Sequence, residues 1–455
     1  MLRPDRLFRT QRHGSDYGDD VGVRGQRQAA VIGLVVALGA VALSILRLFL
    51  QSGSLIGELV WAEDGLFPLC IRKSGMWECL SDPFAGYLLG VPRVLAGITA
   101  ATPLDSWGWT TNVVAGITWG ALAGIAAYWL LAAGIRLLPA VVIALLPVIA
   151  PITGLEAVNS VGSAYMPLLF TATVALAVGW TGRVQTVVAA GLVFLAAVTI
   201  PTALLLVGVL GFSVVRTRIS RRSGGLVLIA MILGSTVQFA VILTAEVRRN
   251  TAFSSEAISF WLNDLPTALL TVWPGLNFGS TTIFGIFTLP PVSWTGALVA
   301  VGLLASAVVL MLKKSELSSV AGVLIVTGLA YSFIPTATGY ASNRYFVLTV
   351  TSVLAAGVLL LDSALSQTRR WSLRAVIAVF AVAWIAAFPA STWRAVPAPP
   401  WQEVIDQAEV QCASDPMAPV RLTFSPGWPQ DGVTELQPPT NQFASCSALR
   451  LATKG

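Results

Sequence analysis

VQTVVAAGLVFLAAVTIPTALLLVGVLGFSVV, residues 184–215, is an apolar run broken by Pro201 and followed by Arg216, Arg218, Arg221 and Arg222. One long helix over this run would carry all four arginines across a bilayer. Two shorter spans with a turn near Pro201 return them to the starting side. Basic residues collect on the cytoplasmic side of membrane proteins, and proline is tolerated where the backbone turns. The charge pattern therefore predicts a hairpin.

Composition places the rest of the chain in the same setting. Of 455 residues, 55% are hydrophobic and 11% charged, against about 25% charged in a soluble domain. Mean hydropathy is +0.77. These values exclude an ordinary soluble protein and imply many membrane spans. The net charge of +6 fits basic cytoplasmic loops and does not imply nucleic-acid binding. The one histidine, His13, lies in the polar N-terminal tail, which excludes histidine-metal chemistry within the membrane.

Residues 1–28 carry six arginines and four aspartates and read as a disordered cytoplasmic tail. Ala29–Leu50 is long enough to be a first span and not a cleaved leader, and Arg24 and Arg27 place its start inside. A first outer loop, 51–106, follows. Its segment Tyr87–Ala101 is short and holds Arg93, which suits a helix lying in the interface. Spans are then expected at 107–131, 137–152, 164–180, the 184–215 hairpin, 225–245, 294–312, 318–334, 344–361 and 375–393, with a second outer loop at 246–293 and a turn at 335–343. The expected fold is an all-α polytopic membrane protein of about eleven transmembrane helices. Its N-terminus is cytoplasmic, its body is 29–393, and residues 394–455 form a small outer appendage. Tryptophans near span ends (Trp107, Trp119, Trp129 and Trp180 among them) fit the membrane aromatic belt.

Both cysteine pairs, Cys70/Cys79 and Cys412/Cys446, fall outside in this topology, where disulfides form. Four free thiols are the alternative. Neither pair has zinc or CxxC redox spacing.

The chemistry is expected at Trp61-Ala62-Glu63-Asp64-Gly65, with Pro83-Phe84-Ala85-Gly86-Tyr87 and Pro92-Arg93 behind it. Two adjacent carboxylates at a lipid–water boundary are costly without a task. One of them can serve as general base; the plain alternative is a charge pair among the headgroups. Arg248, Arg249 and Arg344 lie just outside spans, against the charge rule, and Arg93 lies in the interfacial segment. Their forks suit a phosphate; pairing with Glu246, Glu256 or anionic lipid is the alternative. Glu156 and Asn159 share a short turn where they could reach sugar hydroxyls, or simply shape the turn. Tyr87 and Tyr345 join them as candidates for contact with sugar or acceptor. No Walker, GxSxG, HExxH or Rossmann pattern is present.

The acidic pair after a first span, the Pro-Phe-Ala-Gly-Tyr and Pro-Arg run, Gly154-Leu155-Glu156-Ala157-Val158-Asn159 and Ser342-Asn343-Arg344-Tyr345 together resemble the GT-C superfamily of polytopic membrane glycosyltransferases. The resemblance covers the layout of residues 29–393. It implies a catalytic carboxylate in the first outer loop, a polyprenyl-phosphate sugar donor, a cell-envelope acceptor and inversion at the anomeric carbon. It leaves a divalent cation open as cofactor, although a strict Asp-x-Asp is absent. It also implies Arg344, with Arg248 or Arg249, as holders of the leaving phosphate. Many members carry a large soluble C-terminal domain where this sequence has residues 394–455. A transporter or flippase of a phosphate-bearing lipid would use the same charges. Against it stand the lack of visible repeats and of ionisable residues in span centres.

Overall fold

The computed structural model of the chain describes residues 18–52, 60, 62–84, 86–150, 160–180, 182–216, 218–245, 255–270, 282–283, 287–288, 293–313, 315–337, 345–367, 400–417, 419–424 and 441–449. The expected span 375–393 lies outside them. The fold is a bundle of α-helices. Five are long and apolar enough to cross a membrane: Gly25–Leu50, Leu104–Ala132, Arg221–Thr244, Glu316–Ala337 and Phe346–Leu365. Shorter apolar helices accompany them at Leu137–Ile149, Tyr165–Val178, Arg183–Ala197, Pro201–Val215 and Gly296–Leu312.

The first helix, α1 (Gly18–Ser52), starts well before the expected span, so residues 18–28 are helical and not part of a disordered tail. Extending an existing helix costs little. α1 lies antiparallel to α5 (Trp107–Ala132). A Cβ on Gly124 would come within 2.6 Å of the Gly33 carbonyl oxygen, and one on Gly120 within 2.7 Å of that of Ala37. These glycines let the two backbones touch, which is how membrane helices gain contact without a hydrophobic driving force.

The 184–215 run folds as the charges predict. α8 (Arg183–Ala197) ends at a turn, Pro201 opens a short 3-10 helix, and α9 (Leu206–Val215) runs back. Thr186 meets Ser223 near the start of α10 (Arg221–Thr244), and a Cβ on Gly234, further along α10, would meet Ala197. α8 therefore runs parallel to α10. The end of α9 meets the start of α10 through Val214 and Gly224, so α9 runs the opposite way.

Two ends of the bundle follow from such contacts. At the basic end, Arg136 at the start of α6 (Leu137–Ile149) pairs with Asp362 of α14 (Phe346–Gln367). Arg218 bonds the Ala177 carbonyl near the end of α7 (Tyr165–Val178) and pairs with Glu316, which opens α13 (Glu316–Ala337), at 3.2 Å. Arg216 donates to the Met311 carbonyl of α12 (Ser293–Leu312). α13 continues to Ala337 with Pro335 inside it, where a turn was expected from Pro335.

At the loop end lie α2 (Ala62–Ser74), α3 (Met76–Ser81) and α4 (Gly90–Ala101). Gly75, with φ of 93°, makes the turn between α2 and α3, a conformation that side chains resist. The Cys70–Cys79 disulfide closes that turn. The start of α4 docks on the α8–α9 turn: Gly90 N donates to Val198 O and Val91 N to Thr199 Oγ1. In the same region Arg47 of α1, fully buried, donates from Nη1 to Val148 O and Ala150 O at 2.6 and 2.9 Å. Those carbonyls end α6, where no intrahelical donor remains.

The described residues after 400 pack against this end. α15 (Trp401–Ser414), the ribbon of β1 (Val420–Thr423) and β2 (Asn441–Ala444), and α16 (Cys446–Leu449) are tied by the Cys412–Cys446 disulfide. They share a core with Val60, Leu69, Leu104 and Trp107. Gln367 and Trp401 consequently lie toward opposite ends of the bundle. The aromatic-belt expectation fails for Trp107, Trp119, Trp129 and Trp180. All four are buried: Trp119 lies in the middle of α5, and protein packs around the others.

Candidate functional site

α2 presents Asp64 inward, 2% exposed. Its Oδ1 accepts from Gly162 N at 2.8 Å and from Ser160 Oγ at 3.2 Å. Ser160 Oγ also accepts from Ser163 N, so the turn before α7 is shaped around the carboxylate. Of Glu63, only the backbone is described.

One turn beyond Asp64, on the same face, lies Phe67. Phe84 meets it edge-on at 5.3 Å, and Phe84 and Tyr87 exchange backbone hydrogen bonds across a tight turn. The Arg93 guanidinium lies 5.5 Å from the Phe67 ring and donates to the Cys79 carbonyl. The fold thus draws the Pro83–Tyr87 run and Arg93 to the helix that carries the acidic pair. Burial lowers Arg93 to about 10, opposed by the charge of Asp82. It remains a cation at neutral pH, sunk between α3 and α4. Tyr345 opens α14 and is buried. Arg248, Arg249, Arg344, Glu156 and Asn159 lie outside the described residues.

A second carboxylate, Asp264, has no motif to single it out in the sequence. It belongs to α11 (Ser255–Leu270) in the second loop. α11 is fixed to α13 by Trp261, whose Nε1 donates to Ser332 Oγ at 2.8 Å. Burial raises the Asp264 carboxyl from 3.8 to about 6. Its folded value exceeds its unfolded one, so the folded state holds the extra proton between those values. Its contribution to stability is greatest below that window, declines as pH rises through it, and levels off above about 6. Thermal melts in detergent at pH 4.5 and 7 should show this loss in the wild-type protein. Allowing for solvent screening of a half-buried group, it amounts to about 1 kcal/mol. Asp264→Asn should remove that part of the slope; an identical slope would assign the pH dependence elsewhere.

Among the described residues no three His, Cys, Asp or Glu side chains come together as metal ligands. Comparison with protein-family models, with curated proteins and with solved structures gives no match.

Proposed function

We propose that the chain is a membrane glycosyltransferase of GT-C type. It moves a sugar from a polyprenyl-phosphate donor to a cell-envelope acceptor on the outer face of the membrane. The observation that carries this reading is Asp64: a buried carboxylate that accepts from Gly162 N and Ser160 Oγ, at the loop end of an apolar helical bundle. The loop end is then the outer face, and the arginines of the basic end face the cytoplasm. The opposed positions of Gln367 and Trp401 favour eleven crossings and an outer C-terminus.

In the reaction, an acceptor hydroxyl attacks the anomeric carbon from the face opposite the phosphate. A new carbon–oxygen bond forms as the bond to the phosphate oxygen breaks, and its electron pair leaves with the phosphate. The hydroxyl proton passes to Asp64 as general base, with Glu63 as its helper. The leaving group is a stable anion, so no strong general acid is needed. Arg344, aided by Arg248 or Arg249, holds its charge. Tyr87, Tyr345, Glu156 and Asn159 contact sugar or acceptor. Loops 51–106 and 246–293 exclude water from the site.

Turnover of a synthetic polyprenyl-phosphate sugar by the purified protein tests the reading; binding and vesicle transport of an intact lipid without hydrolysis or transfer would favour the transporter. A second test addresses the phosphate. Arg344→Ala should weaken donor binding about thirtyfold, or about 2 kcal/mol, the scale of one charge-assisted hydrogen bond. Arg344→Lys should recover part of this, because the bidentate fork is lost while the charge is kept. Unchanged donor affinity in a titration of the Ala variant would move the phosphate to Arg248 and Arg249.

A further inference from the structure

The residues after 400 make a closed circuit of contacts with α2. Arg72, two turns beyond Asp64, donates from Nε to Ala100 O at 3.0 Å, from Nη2 to Thr102 O, and from Nη1 to Leu449 O at 3.0 Å. The first two carbonyls end α4 and the third ends α16, so one guanidinium caps two helix C-termini, where a cation is favoured. The same guanidinium lies 4.9 Å from the Trp107 ring. Trp107 stacks on Trp401 at 6.0 Å, and Trp401 on Phe424 at 5.6 Å. Phe424 closes the circuit on α2, because its ring fills the space in which a Cβ on Gly65 would stand. Gly65 is the neighbour of Asp64. Trp401 is held in register by its Nε1 bond to Leu104 O at 2.7 Å.

We propose that Arg72 is a positioning residue for the Asp64 site, and that the described C-terminal elements, 401–417, 419–424 and 441–449, are a cap that fixes helix Ala62–Ser74 from both ends. The positioning role rests on the transferase reading above; the mechanical coupling does not. Arg72 touches neither reacting atom in that reading. It acts through the helix that carries Asp64. Its fork serves the three carbonyls from three separate nitrogens, Nε, Nη1 and Nη2, whereas a lysine offers its donors from one atom. Gly65 is needed because the Phe424 ring lies flush on the α2 backbone.

The test uses the full chain in detergent with Arg72→Gln, Arg72→Lys and Gly65→Ala. Hydrogen exchange over residues 62–74 reads the coupling directly. Arg72→Gln should speed exchange there about tenfold, the scale of lost hydrogen bonds to a charged group. Arg72→Lys should lie between it and wild type. Gly65→Ala, which presses on the opposite end of the circuit, should also speed exchange. With a synthetic polyprenyl-phosphate sugar, Arg72→Gln should lower kcat about tenfold while the donor KM stays unchanged, and Arg72→Lys should rescue part. Unchanged exchange over 62–74 in both Arg72→Gln and Gly65→Ala would overturn the coupling. Faster exchange with wild-type kcat would overturn the positioning role. No turnover by the wild-type protein would instead sink the transferase reading, and the exchange comparison would still decide the coupling.

Discussion

Asp64→Asn should lower sugar transfer by at least about a hundredfold, the usual scale of a lost general base, while the protein folds and binds donor as before. The substitution is chosen from the geometry. An asparagine can keep an oxygen where Oδ1 accepts from Gly162 N and Ser160 Oγ. It cannot take a proton from an attacking hydroxyl. Asp64→Ala makes the contrast, since it strips both donors of their buried acceptor. It should cost stability as well as activity, about 1–3 kcal/mol for donors left unpaired. Glu63→Gln should cost less than Asp64→Asn if Glu63 only helps. Transfer rates and thermal melts of the three variants, measured together, separate chemistry from anchoring. An Asp64→Asn variant that transfers sugar at the wild-type rate would reduce Asp64 to an anchor for the turn before α7.

Arg47→Met should lower stability by about 3 kcal/mol, with a matching fall in the melting temperature in detergent. Arg47 is fully buried, and its Nη1 serves two carbonyls at the end of α6. Methionine fills similar volume but removes the charged donor from both carbonyls. A hydrogen bond to a charged group contributes about 1.5–3 kcal/mol. Lysine restores the charge but not the fork, so Arg47→Lys should recover only part. An unshifted melt in Arg47→Met would mean that the α6 terminus does not depend on Arg47.

The physical reasons for what was legible are specific. The hairpin at Pro201 could be read because four arginines must share one side of a bilayer, and that constraint does not depend on neighbouring helices. The nearness of the Pro83–Arg93 run to Asp64 could be read because both belong to one loop, 51–106. The cap could not. Trp401 lies 294 positions from Trp107 in sequence, and a tryptophan near a span end looks the same whether it faces lipid or another ring. Ser160 gave no signal beyond belonging to a polar turn. Arg47 did give one, as an arginine within an apolar span, where ionisable residues are rare and paired. Asp264 lacked a motif, and its raised pKa arises from burial that only tertiary packing of α11 creates.

The most direct measurement is release of polyprenyl phosphate from a synthetic polyprenyl-phosphate sugar. It compares wild-type protein and Asp64→Asn in matched proteoliposomes, with sugar transferred to acceptor counted in the same sample. Transfer by the wild-type protein, with loss of at least about a hundredfold in the variant at equal folding, is the outcome expected of a membrane transferase with Asp64 as its base. Equal transfer by both proteins, or donor that crosses the bilayer intact with no phosphate released, would contradict it.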